Sequence, residues 1–266
     1  MFNTLIVAAD LDAASDSIVR ATVGLARRGR LPLEVLSVVP SWLDSASVER
    51  RREASQQVVP GRVTVAVGDD VAASIVDHVG SREGALLVMR TAAAGLVSGG
   101  RHSVTGEVLA RLVQPVLLLG PAVPDGVSLE ASTLLAGIGV RDDECPAVPV
   151  MESWHHTFGG DRPYVVDVIA PTGWPDGTVD ERLERTRVDA VVERLAERGI
   201  DAGAEVVHAS DAASALLEVA ERHDHPVFVV TADRWPGGPS HWYSTSRRLV
   251  QRSPWPVLLV PSDLAV

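Results

Sequence analysis

The feature that most constrains the fold is an internal repeat. Residues 63–91, VTVAVGDDVAASIVDHVGSREGALLVMRT, and residues 204–231, AEVVHASDAASALLEVAERHDHPVFVVT, follow the same plan. Each has a β-branched strand, an acidic residue that opens an alanine-rich helix, and a second apolar strand. The segment QPVLLLGP at 114–121 likewise matches WPVLLVPS at 255–262. Self-similarity over this length indicates that one structural unit occurs twice.

Both repeats alternate strand-like and helix-like segments. The apolar runs predict strands near residues 4–10, 32–39, 62–67, 84–89, 115–119, 132–139, 163–170, 203–208, 226–231 and 256–260. Helical periodicity and start and stop signals predict helices that include residues 14–29, 45–57, 71–80, 105–113, 146–158 and 179–198. The helix at 146–158 is predicted although Pro149 lies inside it.

Apolar strands that alternate with helices are typical of a parallel sheet covered on both faces. The segment 120–132 is rich in Pro, Gly and Asp and is the predicted linker. The sequence therefore predicts an α/β protein with two tandem doubly wound domains, residues 1–122 and 130–266. We expect an approximate two-fold axis between them, because equivalent surfaces of related units tend to pair.

Composition narrows the range of functions. Asp and Glu number 35 against 24 basic residues, for a net charge of −11, which argues against nucleic acid as a partner. Every basic residue is arginine, so the chain has no lysine for a phosphate loop or a Schiff base. There is no apolar run of membrane-span length and no signal-peptide pattern, and Cys145 is the single cysteine. These features predict a cytoplasmic protein with no membrane partner.

Three motifs occur in order in the first repeat: LIVAADLDAASDSIVRATVGLARR, VAVGDDVAASIVDHV and QPVLLLGP. They resemble the opening strand and helix, the Gly-Asp helix entry and the closing strand of the universal stress protein family, in its tandem two-domain form. The resemblance implies an adenine nucleotide alpha hydrolase-like fold, with a five-stranded parallel sheet of order 3-2-1-4-5 in each domain. It also implies a contact between the closing strands, 115–119 and 256–260, as an intramolecular pseudo-dimer or in a homodimer.

The resemblance also implies a stress-response role and a candidate nucleotide site in the first repeat. ATP-binding members hold the nucleotide at the carboxyl ends of strands one and four, where a reversal of strand order also favours a ligand. Asp10 matches the family aspartate that contacts the nucleoside end, and Val39 ends strand two, where backbone groups would meet adenine. Arg90 stands at the first glycine of the family's phosphate motif. Gly106 stands at its last glycine, three residues later than the family spacing.

The loop that begins at Gly95 ends in a departure from the family motif, because Glu107 replaces its Ser or Thr. A carboxylate in the first helical turn satisfies the field that attracts a phosphate and would repel one by about 1–4 kcal/mol at about 4 Å. Arg90, Arg101 and the hydroxyls at 103–105 could offset this. Two interpretations stay open: a site for ATP or another adenine nucleotide, and a loop before a capped helix that binds none.

The second repeat keeps the motif spacing but loses its glycines. Thr231 and Arg234 stand at the early glycine positions, Ser244 and Thr245 at the final pair, and Gly139 replaces the strand-one aspartate. Without glycine the backbone cannot approach a phosphate closely. We therefore expect a structural copy of the domain, in which Ser244 caps the last helix.

No other constellation predicts a catalytic residue or a metal site. The adjacent His155 and His156 point apart on a helix, and no further ligand has a useful spacing. Asp69, Asp70 and Asp211 precede helices and are predicted to be N-caps. Three functions therefore stay open: a non-enzymatic stress-response protein that binds an adenine nucleotide, a scaffold of the same fold that acts on an unknown protein partner, and a slow ATPase.

Overall fold

The computed structural model describes residues 1–10, 17–58, 61–91, 103–111, 113–129, 133–138, 145–169, 181–232, 244–262 and 264. The first half of the described chain contains β1 (Thr4–Ala8), α1 (Ser17–Gly29), β2 (Leu33–Val39), α2 (Ser45–Val58), β3 (Arg62–Val67), α3 (Val71–Gly80), β4 (Ala85–Arg90), α4 (Val104–Arg111) and β5 (Val116–Leu119). The second half contains β6 (Thr133–Ile138), α5 (Ala147–Phe158), β7 (Tyr164–Ile169), α6 (Glu181–Glu197), β8 (Gly203–His208), α7 (Ala212–Ala220), β9 (Pro226–Ala232), α8 (Thr245–Arg252) and β10 (Val257–Pro261).

The strands form one continuous sheet in the order β3-β2-β1-β4-β5-β10-β9-β6-β7-β8. Each half has the predicted parallel order 3-2-1-4-5. The two halves do not form separate sheets, however, because β5 and β10 pair antiparallel, with Leu118 opposite Val257 and Val116 opposite Leu259. Both strands are buried, and a buried edge without a partner would leave N–H and C=O groups unpaired. The contact between closing strands is thus confirmed, while the domain limits 1–122 and 130–266 stay a prediction.

Apolar layers cover both faces of the sheet. Leu5, Ile6 and Val7 of β1 are all fully buried although successive side chains of a strand point to opposite faces. Helices α1, α5 and α6 contribute to one layer, and α3, α4, α7 and α8 to the other. This two-sided burial accounts for the uninterrupted apolar runs in the sequence. Among the described helices, none has the length and apolar character needed to span a bilayer.

The predicted helix at 146–158 is confirmed as α5. Pro149 is its third residue and lies in the first turn, where backbone N–H groups have no partner within the helix. The missing N–H of proline therefore breaks no helical hydrogen bond at this position.

Helices α1 and α5 join the two halves on one face of the sheet. A Cβ atom at Gly29 would lie 2.7 Å from Cε1 of Phe158, so glycine is needed for this close approach. The Nε of Arg28 donates a hydrogen bond to the backbone oxygen of Phe158. The Phe158 ring also packs edge-on against the buried Trp154, with ring centroids 4.8 Å apart. The two halves therefore share one apolar layer across this contact.

Candidate functional site

The strand order reverses at β1 and β4, and we call the region beyond the carboxyl ends of these two strands the crevice. These strands are neighbours, but α1 follows β1 and packs on one face while α4 follows β4 and packs on the other. In open α/β sheets a ligand binds outside the carboxyl ends of the strands at such a switch point. The residues that follow or end these two strands, Asp10 and Arg90, therefore bound the candidate site.

Asp10 and Val39 lie at neighbouring strand ends beside this crevice. Asp10 follows β1 and is exposed. Val39 is the buried last residue of β2, which pairs with β1. The Val39 carbonyl accepts a hydrogen bond of 2.9 Å from the Gly68 N–H. The two residues predicted to meet the nucleoside end thus lie at the ends of adjacent strands, and the Val39 carbonyl already has a hydrogen-bond partner.

Arg90 ends β4 and binds groups from two distant segments. Its Nη1 donates to the Ser17 hydroxyl and, over 2.9 Å, to Oδ1 of Asp125, and its Nη2 donates to the Val123 carbonyl over 2.9 Å. Ser17 opens α1, while Val123 and Asp125 lie between β5 and β6. The hydrogen bond from the Ser17 hydroxyl, followed by the charge of Arg90, lowers the pKa of Asp125 below its usual range. Arg90 is therefore part of an ion pair within the chain, in which the Asp125 side chain is 79% exposed.

The start of α4, predicted to face phosphates, is capped from within the chain. The Ser103 hydroxyl accepts a 3.0 Å hydrogen bond from the Gly106 N–H, and the Ser103 carbonyl accepts one of 3.0 Å from the Glu107 N–H. The Glu107 carboxylate lies 3.8 Å from Nη2 of Arg111, one turn further along. The Gly106 donor that the family motif would offer to a phosphate is thus already used by Ser103.

Some residues of both candidate sites lie outside the described residues. They are Gly95 and Arg101 in the first half and Gly139 and Arg234 in the second half. In the second half, Ser244 caps α8 as predicted, and its hydroxyl accepts a 3.4 Å hydrogen bond from the Arg247 N–H.

The same N-cap arrangement occurs in both halves near this end of the sheet. Asp70 caps α3 and accepts a 3.0 Å hydrogen bond from Arg111 of α4. Asp211 caps α7 and accepts a 2.5 Å hydrogen bond from Arg248 of α8. Each acidic cap therefore ties the third helix of its half to the last one, and both predicted caps are confirmed.

The prediction that Asp69 is also an N-cap is wrong. The Asp69 carboxylate accepts hydrogen bonds from the Ser41 backbone N–H at 3.0 Å and from the Ser41 hydroxyl at 2.8 Å. These two hydrogen bonds lower the pKa of Asp69. Because Asp70 already holds the N-cap position, Asp69 is left to join the loops that follow β2 and β3.

A second polar cluster lies at the opposite, amino-terminal end of the strands. Glu34 of β2 is 3% exposed, and its carboxylate lies 3.1 Å from Nη1 of Arg82 and 3.2 Å from Nε2 of His78. The Thr64 hydroxyl also donates to it. A cavity of about 360 Å³ borders this cluster. Because it lies at the amino ends of the strands, this cavity is separate from the switch-point crevice.

The second half replaces this ionic cluster with a ring contact. Tyr164 takes the register position of Glu34, since Glu34 pairs with Ile6 of β1 and Tyr164 pairs with Leu135 of β6. The Tyr164 ring packs against His223, with centroids 4.8 Å apart. Burial is the main cause that lowers the pKa of His223.

Sequence reasoning missed the partners of Arg90. Ser17 and Asp125 are separated by 108 residues, and Asp125 belongs to a linker whose composition indicates only turns. No local pattern signals this contact. The cap at Ser103 had a signal that could have found it, namely a serine at the start of a predicted helix.

Within the described ranges, no cluster of three or more His, Cys, Asp or Glu side chains could hold a metal ion.

The fold is that of a doubly wound α/β protein whose two halves have the same strand order, and solved structures are similar to it over nearly the whole chain. A universal stress protein from Archaeoglobus fulgidus DSM 4304 matches with a TM-score of 0.71 at 17% identity, over 97% of this chain and 98% of that one. A protein of unknown function from Pseudomonas aeruginosa PAO1 and a candidate universal stress protein from Pseudomonas aeruginosa UCBPP-PA14 each match with a TM-score of 0.62 at 14% identity, over 98% of this chain and 93% of theirs. No protein-family model matches the chain, and no curated protein matches its sequence. The chain thus has a universal stress protein-like fold across both halves.

Proposed function

We propose that this protein is a stress-response protein of the universal stress type and that its first half binds the adenosine end of ATP or another adenine nucleotide. The placement of Asp10 and Val39 at the ends of the neighbouring strands β1 and β2 carries this proposal. An exposed carboxylate can accept hydrogen bonds from ribose hydroxyls or an adenine amino group, and backbone groups at a strand end can meet the edge of the base.

We propose one site per chain. In the second half, the residue that would match Asp10 is Gly139, and the Ser244 hydroxyl is used to cap α8. That half then serves as a structural partner, joined to the first through β5 and β10. The proposal includes no enzymatic activity, and the cytoplasmic location inferred from composition stays part of it.

A nucleotide-free scaffold is the second candidate function. It is favoured by the contacts of Arg90 with Asp125 and of the Gly106 N–H with Ser103, since these groups would otherwise be available to phosphates. In this alternative, the protein would act through an unknown protein partner. Any homodimer would have to use a surface other than the closing strands, because β5 and β10 already pair within the chain.

The test combines ligand release with titration. Mass spectrometry of small molecules released from protein purified without added nucleotide should detect adenosine or an adenine nucleotide. Calorimetric titration with adenosine should then give one site per chain, and Asp10→Ala should weaken binding by about tenfold or more, because hydrogen bonds to a charged group are lost. Asp201→Ala is the matched control, since Asp201 is an exposed aspartate of the second half that pairs with Arg162.

Two outcomes would count against the nucleotide site. Equal losses in the Asp10→Ala and Asp201→Ala variants would show that Asp10 makes no specific contact. No binding of adenosine or ATP to the wild-type protein would favour the scaffold instead. Two equal sites per chain would contradict the structural role proposed for the second half.

A further inference from the structure

We propose that Asp125 sets the charge preference of the first-half crevice: by pairing with Arg90, it makes the site favour an uncharged nucleoside over nucleotides that carry more phosphates. This inference rests on the proposed function and extends it by naming the charge class of the ligand.

Arg90 places a positive charge at the switch point itself. It ends β4, whose residue Met89 lies opposite Ala8 near the end of β1. Its side chain is 27% exposed, so solvent and a ligand can reach part of it. The chain has no lysine that could replace it. In a site that favoured phosphates, an arginine here would be expected to bind phosphate oxygens in pairs.

Arg90 makes three hydrogen bonds to described residues of the protein instead. Asp125 accepts from Nη1 over 2.9 Å, and the Val123 carbonyl accepts from Nη2 over 2.9 Å. The Ser17 hydroxyl holds the same Asp125 oxygen at 2.9 Å, which fixes the carboxylate beside the guanidinium. Asp125 thus supplies Arg90 with an internal anion. A paired arginine and carboxylate have no net charge and attract a second anion only weakly.

The start of α4 adds to this preference. The Gly106 N–H is occupied by the Ser103 hydroxyl, and Glu107 places a carboxylate in the first turn of the helix. The nearby Arg111 is shared with Asp70, at 3.0 Å, and with Glu107, at 3.8 Å. Each phosphate added to a nucleoside would therefore meet acidic groups and arginines that already have acidic partners. Adenosine meets no such cost.

The experiment measures the affinities of the full chain for adenosine, AMP, ADP and ATP at low ionic strength. We expect affinity to fall as the number of phosphates rises. Asp125→Asn preserves the shape and a hydrogen-bond acceptor for Ser17 but removes the negative charge. It should strengthen ATP binding by about tenfold and change adenosine binding by less than about twofold, since adenosine carries no charge. Asp201→Asn, which removes a carboxylate 3.0 Å from Arg162 in the second half, should change neither affinity.

A second variant separates the charge effect from a change in the linker. In the double variant Asp125→Asn, Arg90→Gln, the gain in ATP affinity should disappear, because the released cation is no longer present. The gain in the single variant should also shrink at high salt, as expected for an exposed charge. If the gain came only from loss of the contact with the linker, the double variant would bind ATP as tightly as Asp125→Asn does.

The outcomes distinguish this inference from the proposed function. If the wild-type protein binds adenosine but Asp125→Asn alters ATP and adenosine affinity equally, or alters neither, the inference is wrong and the proposed function stands. Tighter binding of ATP than of adenosine by the wild-type protein also overturns the inference alone. If neither protein binds any of the four ligands, the proposed function and the inference both fail.

Discussion

At the scale of single residues, buried charge distinguishes the two halves. Glu34 is buried in β2, and a carboxylate is stable there only because Arg82, His78 and Thr64 bind it. The equivalent position in the second half is Tyr164, which needs no counter-charge. The fold therefore does not require the cluster at Glu34. In the first half, the buried Glu34 carboxylate is stable only while all of its partners bind it.

Removing one partner of a buried ion pair lowers the free energy of unfolding more than removing one partner of an exposed pair. We expect Glu34→Ala to lower the free energy of unfolding by about 1–3 kcal/mol, because it leaves the partly buried side chains of Arg82 and His78 without their acceptor. Urea denaturation would measure this loss. The control is Glu205→Ala in β8, whose carboxylate is partly exposed and paired with Arg222, and it should cost less than about 1 kcal/mol. Equal losses in the two variants would argue that the Glu34 cluster is not specially stabilised.

At the scale of elements, the sequence predicts best where a local signal begins or ends a helix. Asp70 and Asp211 stand at repeat-related positions before alanine-rich segments, and both are N-caps. Ser244 caps α8 for the same reason. Asp69 is also an aspartate, but the N-cap of α3 is its neighbour Asp70. Residue type alone therefore does not decide which of two neighbouring aspartates caps a helix. That choice depends on backbone geometry and on Ser41, 28 residues away.

The cap at Asp70 should make stability depend on acidity. The Ala73 backbone N–H, and then Arg111, lower the pKa of Asp70 below its ordinary value of 3.8. A group with a lowered pKa stabilises the fold above its ordinary value, and this contribution is lost as pH falls through the lowered pKa. Asp70→Asn should therefore have a lower melting temperature than the wild type at pH 6, since asparagine still caps but carries no charge for Arg111.

This difference in melting temperature should shrink as pH falls below 3.8 and the wild-type carboxyl takes up a proton. Thermal denaturation followed by circular dichroism from pH 6 to pH 3 would measure it. Arg111→Gln should give a similar profile, because it removes the other partner of the pair. A constant offset at every pH would mean that the charge of Asp70 has no role.

At the scale of the whole molecule, the repeat predicted a parallel sheet in each half, and the family resemblance implied its order 3-2-1-4-5 and the contact of the closing strands. Neither the repeat nor the resemblance predicted that β5 and β10 would join the two halves in one continuous sheet. The contact between Arg90 and Asp125 was also beyond prediction. Both depend on how segments distant in the chain meet, and hydrophobic periodicity carries no information on that. The differences from expectation therefore lie where β5 pairs with β10 and at the crevice.

The joint between the halves requires a glycine after β5. A Cβ atom at Gly120 would lie 1.9 Å from the backbone oxygen of Val250 in α8, and a backbone atom cannot move aside easily. Gly120→Ala should therefore lower the free energy of unfolding by about 1–3 kcal/mol through overpacking. Gly80→Ala is the control, since a Cβ there would meet no atom within 4 Å, and it should be neutral or stabilising by up to about 1 kcal/mol. Urea denaturation of both variants would decide, and equal stability would mean that the halves can separate slightly at no cost.

We propose that the first half of the chain binds a nucleoside and that the second half does not. A crystal structure of the protein grown with adenosine tests it most directly. We expect one adenosine per chain, at the carboxyl ends of β1 and β4, with a hydroxyl or amino group within hydrogen-bond distance of Asp10 and no ligand beside Ser244. Adenosine bound at the start of α8, or in both halves, would contradict it.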